Sequence, residues 1–250
     1  MEIQNLHDLV NAVEHTGREF KYQAWWRGQA EDWPLLSGIH RPDLCTEEKQ
    51  VHCEKDLTIK FLLAAKTRHS HWPEDDYPSQ LAMMQHYRLP TRLLDWSESP
   101  LIALFFAVQG ADDKQGVLWA LIPSALNIHE FRTENLLSPY GDRVRVLFEA
   151  PFRDVDDDLK KVAAVIIRHI DVRMTVQLSA FTIHGANTPL NEHEGNERFL
   201  VRFVIPARAK SLLRIDLFSM GIRESHLFPD LDHLANELKT EAKLKLLLGL

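Results

Sequence analysis

The sequence predicts a mixed α+β domain, and three observations carry that reading. Apolar residues recur at helical spacing in some stretches and crowd into short strand-like runs in others, without a regular strand–helix rhythm. The apolar share of 45% and the charged share of 26% are those of an ordinary folded chain. At 250 residues it can bury roughly three quarters of its unfolded surface in one domain. No repeat, low-complexity tract or Ser/Gly-rich linker divides it, so residues 1–250 read as one unit.

Leu6, Leu9, Val10 and Val13 share one face of a short N-terminal helix. Residues 22–27 are aromatic-rich and break at Gly28, a strand ending in a turn. Residues 34–42 hold several turn formers and read as irregular. From Thr46, a suitable cap, to about His69 the spacing is helical, with Leu57, Phe61, Leu62 and Ala65 on one face. Residues 72–78 form a loop, 79–87 a helix stopped near Pro90, and 93–96 a short apolar run. Ser99 caps a strongly apolar helix that Pro100 opens and that runs through Val108. Strands are expected at 116–122, 144–149, 174–184 and 199–205. Helices are expected from a cap within 154–158 to about His169, over 207–219 and over 230–248.

Composition removes several classes of function. Lys plus Arg is 29 against 36 for Asp plus Glu, a net charge of −7. That disfavours a generic nucleic-acid coat or an anionic-membrane binder, while leaving room for a local basic cleft. Glycine occurs 10 times, and neither dinucleotide-binding G-x-G-x-x-G, P-loop G-x-x-x-x-G-K-[ST] nor nucleophile-elbow G-x-S-x-G is present. There is no Cys-x-x-Cys or His-Glu-x-x-His, and His69 and His71 lack a third nearby ligand, so no metal is expected. Seven residues separate Cys45 from Cys53, which on a helix is about two turns and beyond disulfide reach. Met1 opens on acidic and polar residues, and no 18-residue apolar run appears, which predicts a cytoplasmic protein off the membrane.

Three segments hold more polar chemistry than local structure needs. In Trp25-Trp26-Arg27-Gly28-Gln29 a guanidinium sits beside a glycine that admits close backbone approach, which suits a phosphate or carboxylate. Between Gln85 and Pro100, the side chains of Gln85, His86, Tyr87, Thr91, Arg92, Asp95, Ser97 and Ser99 crowd between two helices. Ser97 or Ser99 as a cap and Asp95 against Arg92 explain part of that run, but not Gln85, His86 and Thr91. Gly221 to Asp232 reads as a helix–helix turn that leaves Glu224 and His226 unexplained. A weaker fourth segment, Arg173 to Gly185, would set Arg173, Thr175, Gln177 and Ser179 on one polar face of a strand.

These residues resemble the FRG domain family. Trp26-Arg27-Gly28 matches its aromatic-Arg-Gly motif, and Gln85 to Pro100 is similar to its Q-H-x-G-x-P-T-R-L-L-D-W-[ST]-x-[SN]-P signature. Arg173 to Gly185 and Leu227 to Asp232 resemble two further blocks, so the likeness spans about residues 22–235. Arg88 and Ser179 stand where the family has glycine, which argues against a left-handed turn at either place. The order of parts more loosely resembles ADP-ribosyltransferases: Arg27 on a first strand, Ser97-Glu98-Ser99 feeding an apolar helix, then the 116–122 strand. That likeness implies a split sheet with flanking helices and transfer of ADP-ribose from NAD, without a metal, to a protein or nucleic-acid acceptor.

The same likeness implies roles. Glu224 would stabilise charge on the ribose, although Gln177 occupies the position more like the usual acid's. Arg27 would fork onto the pyrophosphate, Ser97 would orient the first strand or the ribose, and Trp96 or Tyr87 would stack on nicotinamide. Gln29, Thr91, Arg92 and Ser99 complete the expected NAD-binding set, with His86, Asp95 and Gln177 as site wall. A toxin or phage-defence effector with a neutralising partner protein fits such a transferase. The competing reading is a non-enzymatic module whose cleft binds a ligand, RNA or a protein. The two separate on whether Glu224 reaches the same cleft as Arg27. A glycosidase using Asp95 and Glu98 fits poorly, because residues three apart rarely flank a substrate from opposite sides.

Overall fold

The computed structural model describes residues 1–20, 23–42, 50–69, 72–152 and 160–248. Six strands, β1 (Trp25–Gln29), β2 (Leu93–Ser97), β3 (Gly116–Leu121), β4 (Val162–Val165), β5 (Ser179–His184) and β6 (Leu200–Ile205), form one antiparallel sheet. Their order is β4-β5-β2-β1-β3-β6. The helices are α1 (Leu6–Phe20), α2 (Gln50–Ala65), α3 (Tyr77–His86), α4 (Pro100–Val108) and α5 (Pro123–Phe131), followed by α6 (Asp142–Glu149), α7 (Val172–Val176), α8 (Lys210–Ser219), α9 (Glu224–Leu227) and α10 (Leu231–Leu248). The α+β class stands. No described helix is long and apolar enough to cross a membrane.

The sheet is split at its centre. All of β1 pairs with β3, and all of β2 pairs with β5, but β1 meets β2 at one position, Trp26 opposite Ser97. Adjacent residues point to opposite faces, so Trp26 and Trp25 enter different cores, as do Leu93 and Leu94. One core packs Trp26, Leu118 and Phe203 of the sheet with Ala103 and Ala107 of α4 and Leu213 of α8. The opposite face buries Trp25, Leu94, Trp96, Trp119 and Phe199. A third cluster joins Leu81 and Met84 of α3 to Leu93, Phe181 and Phe148.

Gly28 lies inside β1, which continues through Gln29, rather than closing it. A Cβ there would fall 1.8 Å from the Ala103 carbonyl oxygen of α4, and one at Gly116 would fall 2.5 Å from that of Ala107. The two glycines therefore let α4 lie on the sheet through its small residues. At the far end Lys210 is fully buried and its ammonium donates to the carbonyls of Ala30, Gly110 and Ala111.

Several elements differ from expectation. Residues 142–149 are helical, not extended: Val144, Leu147 and Phe148 share a buried face. Residues 162–165 are a strand where a helix to His169 was expected, and all four are buried. In the expected strand from 174, the first part is the end of α7 and β5 begins at Ser179. Thr46, Cys45, His71 and residues 154–158 lie outside the described residues. Cys53 is disulfide-bonded. That corrects the expectation that the spacing of the two cysteines puts a disulfide out of reach.

Candidate ligand cleft

Where β1 and β2 part, a cavity of about 370 Å³ opens, and a second lobe of about 320 Å³ adjoins it. Arg27, Arg41, Gln85, Asp95 and Arg173 line both lobes. Trp33, Trp96 and Phe106 add aromatic surface to the first lobe, and Arg88 lines the second. Each lobe falls within the usual size of a small-molecule site.

Arg27 bridges the split. Its Nη1 donates to the Asp95 carbonyl at 2.7 Å, supplying across the seam a hydrogen bond the strands themselves do not make. Its Nε is buried with no partner among the described residues. Burial pulls its pKa down, the nearby Asp95 opposes that, and Arg41 pulls it further down. A desolvated guanidinium with an unsatisfied donor is poised for an anion.

Asp95 is held by a chain of hydrogen bonds built from the 85–95 motif. The Leu93 N–H donates to Thr91 Oγ1 at 3.1 Å, and that hydroxyl donates to Gln85 Oε1 at 2.7 Å. Gln85 Nε2 then donates to Asp95 Oδ2 at 2.7 Å. This is what Gln85 and Thr91 do: they fix the amide, and the amide fixes the carboxylate. Among the described residues Asp95 is the one carboxylate lining either lobe.

Gln85 sits in the last turn of α3, which ends in a Schellman turn. The Leu89 N–H donates to the Met84 carbonyl and the Arg88 N–H to that of Gln85. Arg88 takes the left-handed position of that turn, with φ at 64°. The left-handed turn thus persists although arginine replaces glycine. In the other block the left-handed residue is Leu178, at φ 48°, and Ser179 is extended.

Arg173 and Gln177 stand one helical turn apart at α7 and both face the cleft. The Arg173 guanidinium rests 4.5 Å from the Phe228 ring centroid. Its pKa is lowered chiefly by burial, with Asp95 opposing and Arg88 reinforcing. Ser97 Oγ donates to the Gln177 carbonyl at 2.7 Å and accepts from the Ser99 N–H, tying the end of β2 to the end of α7. Gln177 Nε2 donates to the Leu227 carbonyl of α9. His86 Nδ1 lies 3.6 Å from Asp171. Burial lowers the His86 pKa against the pull of Asp171, so the ring is neutral near pH 7.

The structure thus brings Arg27, Gln29, His86, Asp95, Trp96, Ser97 and Gln177 to the cleft. Gln29 spends its Oε1 on the Trp119 indole N–H. Five expected residues do not line it. Tyr87 is half exposed and packs edge-on to His86 and His69. Thr91 acts from behind through Gln85. Arg92 is buried in a bidentate ion pair with Glu54 of α2, its Nε donating at 2.8 Å. Ser99 caps α4 by accepting from the Ile102 N–H. Glu224 opens α9, half exposed, with its carboxylate 3.8 Å from His233 Nε2.

Sequence reasoning missed Arg41, Trp33 and Phe106 as cleft residues, and quoted Gln85 and Arg173 without bringing them to the site. Arg41 and Trp33 flank the irregular stretch before α2, where no periodicity or motif marks them. The polar face expected for Arg173 and Gln177 does meet the cleft, although residues 172–176 present it from a helix rather than a strand.

Residues 22–116 match the family model of the FRG domain. That span supplies β1, α3, β2 and α4, hence Arg27, Gln85 and Asp95, whereas Arg173 and Gln177 come from beyond it. No curated protein and no solved structure matches the chain.

Proposed function

From the FRG-domain match and the cleft built around it, we propose that the chain binds a nicotinamide dinucleotide and transfers its ADP-ribose to a macromolecular acceptor, protein or nucleic acid. The observation that carries this is the cleft's charge pattern: Arg27, Arg41 and Arg173 surround one carboxylate, Asp95, in a protein of net charge −7. A diphosphate suits the arginines, and flat rings suit Trp33 and Phe106. In the reaction the bond between ribose C1′ and the nicotinamide nitrogen breaks, and nicotinamide leaves neutral with the bonding pair. The acceptor's nucleophile bonds to C1′ and loses a proton. Positive charge develops on the ribose as the bond breaks, and a fixed carboxylate beside it lowers the barrier. Asp95 takes this role in place of Glu224, because its carboxylate faces the cleft and is oriented by Gln85. A toxin or phage-defence role, a neutralising partner and a cytoplasmic setting accompany this proposal.

The position of Glu224 outside the cleft favours a second reading, a binding module without turnover. Labelled NAD incubated with the protein and with lysate fractions separates the two. Transfer of label, reduced about a hundredfold or more in Arg27→Ala and Asp95→Asn, supports the transferase. Saturable binding with no nicotinamide released supports the module.

A further inference from the structure

The second lobe holds more positive charge than a plain dinucleotide needs. Arg27, Arg41, Arg88 and Arg173 line it against the single carboxylate of Asp95. A dinucleotide diphosphate carries two negative charges, whereas a phosphomonoester adds about −1.5 to −2 more near pH 7. Apart from Gln85, whose amide is engaged by Thr91 and Asp95, the remaining wall is Gly38, Leu89, Pro90, Leu93 and Leu94, and it gives those guanidiniums no second acid.

Arg88 adds an independent observation. It occupies the left-handed position of the Schellman turn, where glycine is free of strain and an L side chain costs about 1 kcal/mol or more. Strain kept at a cleft residue points to use of the side chain. Arg41 lies close enough to depress the Arg27 pKa, and Arg88 that of Arg173, so the like charges are crowded until an anion enters.

Resting on the dinucleotide reading above, we infer that the second lobe is a phosphomonoester subsite and that the chain takes the 2′-phosphorylated dinucleotide, NADP, in preference to NAD. Arginine is the side chain suited to that phosphate, forking onto two of its oxygens.

Calorimetric titration with ADP-ribose and with 2′-phospho-ADP-ribose tests this without any turnover. The expected result is tenfold or tighter binding of the phosphorylated form, with the two affinities within about twofold of each other in Arg88→Gly. That variant removes backbone strain, so loss of fold does not confound it; a thermal melt run alongside verifies this. Equal affinities in the native chain overturn the subsite and leave the dinucleotide reading standing. A preference that survives Arg88→Gly overturns the role of this lobe. Binding of neither compound overturns both.

Discussion

At the scale of single residues, the cleft is built by side chains that hold other side chains. Thr91 reaches the cleft only through Gln85, and Gln85, itself on the cleft wall, aims Asp95. Arg92, next in sequence to Thr91, turns the other way and pins α2 to the start of β2 through Glu54. Arg88 is the residue whose cost is plainest. Its φ of 64° and the two hydrogen bonds of the Schellman turn leave no reason in the backbone for a side chain there. Arg88→Gly should therefore stabilise the fold by about 1 kcal/mol, from relief of the left-handed strain. For a chain of this size that is a rise of about 2–4 °C in Tm. A melting temperature that stays put or falls in Arg88→Gly would show that the guanidinium contributes more to the fold than the strain removes.

At the scale of elements, α4 decides where the cleft lies. It rests on β1 and β3 through Ala103 and Ala107 because Gly28 and Gly116 have no Cβ to keep them apart. The same helix carries Phe106 into the first lobe. Gly28→Ala would place a methyl carbon 1.8 Å from a backbone oxygen and 2.6 Å from a backbone nitrogen, so α4 itself must shift. A loss of about 1–3 kcal/mol in urea unfolding is expected, with weaker dinucleotide binding as Phe106 moves. Native stability in Gly28→Ala would mean that the helix slides freely. This part of the molecule was legible in advance: Ser99, Pro100 and the apolar run fix α4, and Trp26-Arg27-Gly28 marks β1. The elements that were misread had competing periods or none. Val144, Val146 and Phe148 alternate as a strand would, yet Val144, Leu147 and Phe148 also repeat as a helix, and burial of the second set prevails. The four buried residues of β4 carry no alternation to read. Val172, Thr175 and Val176 are β-branched, so a five-residue helix there contradicts local propensity and depends on the Asp171 cap, which accepts from the Arg173 N–H. Glu224 illustrates a different limit: it was the acid left unexplained in its turn, and position along the chain does not say whether residue 224 meets residue 27.

At the scale of the whole molecule, an acidic body surrounds a basic cleft, and the histidines beside that cleft make its stability depend on pH. Burial lowers the His40 pKa to about 3, with Arg92 adding to the effect, while Ser37 Oγ sits 2.7 Å from its Nδ1. Burial also drives the His184 pKa well down, helped by His40, His193, Arg27 and Arg92. Both rings are neutral in the folded chain at pH 7. In the unfolded chain they titrate near 6.5, so below that pH the unfolded state binds protons that the native state refuses. Stability is then fully present above about pH 6.5 and falls as pH drops towards 3, by up to about 1.4 kcal/mol per pH unit for each ring. Urea midpoints measured from pH 7.5 to 4.5, above the main carboxylate range, should hold to about pH 6.5 and decline below it. His40→Asn can keep a polar atom near the position of Nδ1 and removes the titration, so it should flatten that decline by about one proton's worth of slope. An unchanged slope in His40→Asn would mean that the ring is already protonated in the native state despite its burial.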